Sequence, residues 1–187
     1  DTYLPLNIFF LFYLEMINKA ISSKSRLVGM IQPNNSDKNK LYDVGCAGKI
    51  IKFEETEDKR YLITLKGISR FDLISEKTNR KNFREAQVKW ENFGKDLQKN
   101  DTKETFTNLK MSLKRYFKLK NIKVNFEVID KCYDYNFVDQ ITMICPLAFE
   151  EKQLLLETTS ISKRSNLLQS IIDGYASEEN ISRVVKH

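Results

Sequence analysis

Histidine is nearly missing from this sequence. The single one, His187, is the last residue. Triads built on an imidazole base and metal sites built on imidazole ligands therefore have no material to work with. Cysteine is scarce too: Cys46, Cys132 and Cys145 are far apart and odd in number. They form neither a disulfide framework nor a close-spaced metal pair, and the expectation is reduced, packed thiols in a cytoplasmic protein. No glycine-rich phosphate loop of either common spacing occurs, so nucleotide binding by those routes has no support. No apolar run approaches the ~20 residues of a membrane span. Leu4 to Leu14 is apolar but short, with no basic leader and no small-residue cleavage site, and does not read as a signal peptide.

What is present is an ordinary globular composition, with 41% hydrophobic and 30% charged residues over 187 positions, enough for one domain or two small ones. The net charge of +6 is unevenly placed. Residues 1–76 carry 11 basic and 10 acidic side chains, residues 77–120 carry 13 and 5, and residues 121–187 carry 7 and 10. The basic middle raises a nucleic-acid reading as an alternative.

Leu41 to Phe71 organises the chain. Gly45 to Phe53 reads as a strand, Glu54 to Arg60 as a polar hairpin loop, and Tyr61 to Leu65 as a second strand. Gly67 breaks the run before a third, Ile68 to Phe71. Gly45, Gly48 and Gly67 mark places where backbone bends or passes close to a neighbour. Upstream, Leu4 to Phe9 is an extended entry. Tyr13, Met16, Ile17 and Ala20 then recur on one helix face. Arg26 to Ile31 is a strand, Pro33-Asn34-Asn35 a turn, and Phe83 to Trp90 a half-buried strand with Ala86, Val88 and Trp90 in period two.

From Glu91 the pattern turns helical. Asp101 and Glu104 have capping-box spacing. Phe106, Leu109, Leu113, Tyr116 and Phe117 share one face, and Lys103, Lys110, Lys114 and Lys118 form the solvated stripe opposite. Two shorter apolar segments follow, Phe126 to Cys132 and Phe137 to Cys145. Two more helices complete the pattern, Phe149 to Thr158 and Ser160 to Tyr175, the latter with Gly174 near its end. The expected fold is α+β: a strongly bent sheet with one helix over residues 1–90, then a helical bundle over residues 91–187.

The order Tyr42, Val44-Gly45-Cys46, Gly48-Lys49-Ile50, Phe53-Glu54-Glu55, Arg60-Tyr61-Leu62-Ile63, Leu65, Gly67, Ser69-Arg70-Phe71 resembles the substrate-binding LON domain. That domain stands at the N-terminus of ATP-dependent Lon proteases (peptidase family S16) and also occurs as a stand-alone bacterial protein. Leu4-Pro5-Leu6-Asn7-Ile8-Phe9 with Tyr13 and Glu15-Met16-Ile17 resembles its opening motif, and Cys145-Pro146 with Glu150 to Glu157 resembles the stand-alone form. The resemblance implies a partly open, PUA-like β-barrel followed by helices. It implies non-catalytic binding of unfolded or client polypeptides, with a protease or chaperone as a further partner and weak self-association.

Two departures from the family bear on the site. Where the family has an acidic residue, a proline and an arginine, this chain has Phe10-Leu11-Phe12. Core filling is the first expectation for these three and a contact surface the second. The family's opening strand has no counterpart ahead of Leu4, which predicts an unpaired sheet edge there. The candidate polypeptide-binding surface is accordingly Phe10, Leu11, Phe12 and Trp90. A client would bury apolar side chains in a groove between the β part and the helices, with a client strand able to add to the sheet edge.

No catalytic residue, cofactor or metal ligand is assigned. Glu54, Glu55, Glu57 and Asp58 fall in a hairpin loop, where carboxylates are solvated. Ser160 and Lys163, the nearest serine–lysine pair, sit at a helix start where serine serves as a cap.

Overall fold

The structure is a computed structural model and describes residues 2–34, 37, 40–98, 105–132 and 136–184, with side chains to residue 177. The chain divides into two compact units, Asp1–Lys99 and Asn100–His187.

The first unit is built on an open antiparallel sheet. Its strands are β1 (Tyr3–Ile8), β2 (Leu27–Met30), β3 (Val44–Glu55), β4 (Tyr61–Thr78) and β5 (Arg84–Lys89), with helix α1 (Leu11–Ser22) between the first two. The order is β1-β4-β3-β2, and β5 pairs with β4. The three short strands expected between Gly45 and Phe71 are in fact two long ones. Gly67 does not end a strand, because the ladder runs on through it with a register shift: Gly48 faces Gly67, Ala47 faces Ser69, and Ile68 is the extra residue. A second shift leaves Ile51 extra on β3. Such bulges bend and twist a strand without breaking it. The first half of β4 therefore pairs with β1, and the second half with β5.

Alternation sets the core. Leu4, Leu6 and Ile8 of β1 stand opposite Leu65, Ile63 and Tyr61 of β4, on one face. Ile17 and Ala20 of α1, with Val28 and Ile50, close over them. Each fully buried aliphatic chain here contributes ~1.5–3 kcal/mol. The sequence places α1 by its own period, since Ile17 and Ala20 are the positions that bury. Salt bridges from Lys81 to Glu15 and from Lys19 to Glu85 tie α1 to the β4–β5 hairpin.

Beyond Trp90, residues Glu91–Leu97 form a 3₁₀ helix that belongs to this unit, nine residues past the boundary the sequence pattern suggested. Its Asp96 receives Arg70 in a two-pronged pair, Nε to Oδ2 at 2.8 Å and Nη2 to Oδ1 at 2.7 Å, and also the Arg70 amide at 3.0 Å. The Arg70 guanidinium lies 4.7 Å from the Phe93 ring centre. Period two does not carry through β5: Val88 and Trp90 are half-buried but Ala86 is exposed.

The second unit is helical: α2 (Thr107–Leu119), α3 (Phe126–Lys131), α4 (Phe137–Ile144), α5 (Phe149–Glu157) and α6 (Ile161–Val184). Leu109, Leu113, Tyr116 and Phe117 pack with Phe137, Val138, Ile141, Leu155, Leu168 and Ile172. Three expectations need correction. Lys110 is not on the solvated stripe but buried, its ammonium donating to the Asp130 carbonyl at 3.0 Å and lying 5.6 Å from the Phe137 ring centre. Gly174 is well inside α6 and not near its end. The N-cap of α2 is Phe106, in the left-handed region at φ 47° and without a side-chain cap. Asp101, Lys103 and Glu104 lie outside the described residues.

Candidate functional site

The Phe10-Leu11-Phe12 run is not core. Phe10 is 52% exposed, Leu11 74% and Phe12 37%. The reason is helical geometry. Ile17 and Ala20 are the residues of α1 that bury, and the first turn lies away from them along the helix, where Leu11 and Phe12 stay open. The rings gather on one another instead. Phe10 lies 4.5 Å from Phe9, 5.7 Å from Phe12 and 6.3 Å from Tyr13, and Phe12 lies 4.3 Å from Tyr13. Phe9 and Tyr13 are also exposed, so four rings form one patch, and Leu11 within the same run is exposed as well. A patch of that kind on a surface marks an interaction site more often than a defect.

Phe9 and Tyr13 were not among the sequence candidates. The available signal was the uninterrupted run Phe9 to Tyr13, which is too long for one helix face. Trp90, the fourth candidate, does not join the patch. Its ring stands edge-on to Phe71 with 5.9 Å between centres, and among the described residues it has no ring contact with Phe9, Phe10, Phe12 or Tyr13.

Both ends of the sheet path are edges. Among the described residues β1 pairs only with β4, as expected for the segment at Leu4, and β2 pairs only with β3. The β1 edge is interrupted. The Gly67 amide bonds the Thr2 carbonyl, so in the register given, the backbone groups of Tyr3, Pro5 and Asn7 face outward. Pro5 has no N–H to offer there, which is how natural edges are blunted.

The remaining chemistry is sparse. Among the described residues no three His, Cys, Asp or Glu side chains group as a metal site. Glu54 and Glu55 are not in the loop but end β3, where they pair with Leu62 and Tyr61, and all four carboxylates of this stretch are exposed. Asp58 is held down at about 2 by hydrogen bonds from Arg60 and then Thr56, the setting of a solvated ion pair. Ser160 acts as a cap, its hydroxyl accepting from the Lys163 amide at 3.5 Å. Cys145 is buried, and desolvation pushes its thiol up to about 11. His187 lies outside the described residues.

Part of the basic middle of the chain is paired with acids of its own unit: Lys77 with Glu85, Arg84 with Glu76, Lys114 with Asp130, and Arg115 with Asp173. This leaves less free positive charge for a nucleic acid than the sequence count suggested. No helix among the described residues is long and apolar enough to cross a membrane.

Comparison with known proteins gives one consistent answer. The profile of the ATP-dependent protease La (LON) substrate-binding domain matches residues 1–174. Lon protease 1 of Hydrogenovibrio crunogenus is 26% identical over 185 residues, covering 92% of this chain and 22% of that protein. The chain thus spans about a fifth of the length of that relative. Two solved structures share the fold. The N-terminal domain of Mycobacterium avium complex Lon protease has a TM-score of 0.66 at 14% identity, covering 92% of this chain and 90% of that one. A Lon N-terminal domain protein from Xanthomonas campestris has a TM-score of 0.65 at 15% identity, covering 90% and 89%. With its bulged, open sheet, its helical second unit and a family match over nearly its whole length, the chain belongs to the ATP-dependent protease La (LON) substrate-binding domain family.

Proposed function

We propose that this chain binds apolar segments of unfolded polypeptides in the cytoplasm and performs no chemistry on them. The observation that carries the reading is the exposed run of Phe9, Phe10, Leu11, Phe12 and Tyr13, held at the start of a helix whose Ile17 and Ala20 are anchored in the core. The family match to a substrate-binding domain supports it. Rigid aromatic rings supply contact area at low conformational cost, and their mutual packing holds them ready for a client's apolar side chains. Binding at a single patch is weak, because ordering a flexible client opposes it. A protease that receives the client is the partner the family suggests.

The test is a titration of unfolded, reduced casein against the protein, with calorimetry as readout. Saturable, weak association is expected. The double substitution Phe10→Ser and Phe12→Ser should weaken it by tenfold or more, since each buried phenylalanine contributes ~1.5–3 kcal/mol. The melting temperature should hardly move, because exposed positions typically change stability by within ~0.5 kcal/mol. Unchanged affinity in that variant would remove the patch from the account.

A further inference from the structure

Two of the sheet's edges, β1 and β2, differ in what they offer to an extended chain. On β1, Pro5 occupies an outward-facing position and removes a donor. On β2 the register is set by the bond from the Ile50 amide to the Arg26 carbonyl, 2.9 Å. Val28 and Met30 therefore bond to β3, and Leu27 and Gly29 turn both backbone groups outward. Neither is proline, so this edge presents an uninterrupted alternation of donor and acceptor. Gly29 carries no side chain to obstruct an incoming strand. The space where its Cβ would stand meets only the Phe71 ring, at 3.5 Å.

Three cations stand at the entry end of this edge. Lys24 and Arg26 lead directly into β2, and Lys49 is the cross-strand partner of Leu27. All three are exposed, and none has an ion-pair partner among the described residues. They contrast with the cations of residues 77–120, many of which are paired. A second copy of this edge would bring the same cations against themselves, which disfavours β2 pairing with β2.

We propose that the outer edge of β2 accepts an extended polypeptide strand whose flanks carry acidic residues. This rests on the polypeptide-binding reading above and adds the place of strand addition and the charge it selects. The client's backbone bonds to Leu27 and Gly29, and its carboxylates meet Lys24, Arg26 and Lys49. Backbone bonding supplies a contact indifferent to sequence, and the cations supply the preference.

The experiment uses two fluorescent synthetic peptides with the same alternating valine–threonine centre, one flanked by glutamate and the other by lysine. Fluorescence anisotropy at low salt should show the glutamate peptide binding about tenfold more tightly, as expected of three exposed ion pairs. Gly29→Pro removes one outward donor and no bond to β3, and it should reduce that affinity about tenfold. The triple variant Lys24→Glu, Arg26→Glu, Lys49→Glu changes only exposed side chains and should invert the preference between the peptides. Equal affinity for the two peptides would overturn the proposal. So would an unchanged affinity in Gly29→Pro at an unchanged melting temperature, or sedimentation showing that β2 is occupied by a second copy. If casein still binds and is lost in the Phe10→Ser, Phe12→Ser variant while the two peptides bind alike, the general reading stands and this one fails. If neither casein nor either peptide binds, both fail.

Discussion

At the scale of single residues, Gly45 and Cys145 show how narrowly the packing is drawn. A Cβ on Gly45 would lie 2.5 Å from Phe71 Cζ and 2.8 Å from the Met30 carbonyl oxygen. The ring can yield only by leaving its place against Trp90, and the carbonyl is backbone. Gly45→Ala should therefore destabilise by about 1–3 kcal/mol, the cost of overpacking, read as a shift of the denaturant midpoint. Gly29→Ala, whose Cβ has ordinary contact distance, is the control and should be nearly neutral.

Cys145 makes a prediction about pH. Its folded value, about 11, stands above the ordinary thiol value of 9.0 because burial penalises the thiolate. The stabilisation from keeping it protonated is fully present below the unfolded value and is lost as pH rises through the folded one. The window is therefore pH 9 to 11. At pH 7 only roughly one molecule in ten thousand carries the thiolate, so iodoacetamide should modify Cys145 far more slowly in the native protein than in urea.

At the scale of elements, α6 carries a visible inefficiency. Gly174 sits inside the helix, exposed, with no atom within 4 Å of a built Cβ. Glycine there leaves the unfolded chain extra freedom and adds no packing. Gly174→Ala should raise stability by about 0.5–1 kcal/mol, measured by thermal or chemical unfolding, with no loss of casein binding. The same helix explains why Arg164 tolerates burial. Its guanidinium donates to Asp139 of α4 and to the Thr158 carbonyl. In the sheet, β4 is the element on which the rest depends, since β1, β3 and β5 all pair with it.

At the scale of the whole molecule, the charge count and the charge arrangement point to different partners. A net +8 over residues 77–120 suggests nucleic acid when read as a sum. In the fold many of those cations meet carboxylates, Lys81 with Glu15 and Lys114 with Asp130 among them. A mobility-shift assay with single-stranded RNA at low salt should therefore show no specific complex, and any weak retardation should vanish by physiological salt. A salt-resistant complex would reopen the nucleic-acid reading.

Local pattern carried much of this protein. The alternation of Leu4, Leu6 and Ile8 against Tyr61, Ile63 and Leu65 has period two, and the spacing of Ile17 and Ala20 belongs to a helix. Both periods are properties of a few adjacent residues, so both are legible without a partner. The glycine-marked motif from Val44 to Phe71 carried the family for the same reason. Tertiary structure decided what depends on residues far apart in sequence. Phe10, Leu11 and Phe12 are apolar whether or not anything covers them, and only the arrangement of α1 on the sheet leaves them open. Lys110 looks solvated until Asp130 and Phe137 are brought against it. Gly67 looks like a strand break until a bulge opposite Gly48 lets the ladder continue. Which sheet edge stays available follows from backbone direction, through the bonds Gly67 to Thr2 and Ile50 to Arg26, and backbone direction leaves no mark on residue type except where Pro5 removes a donor.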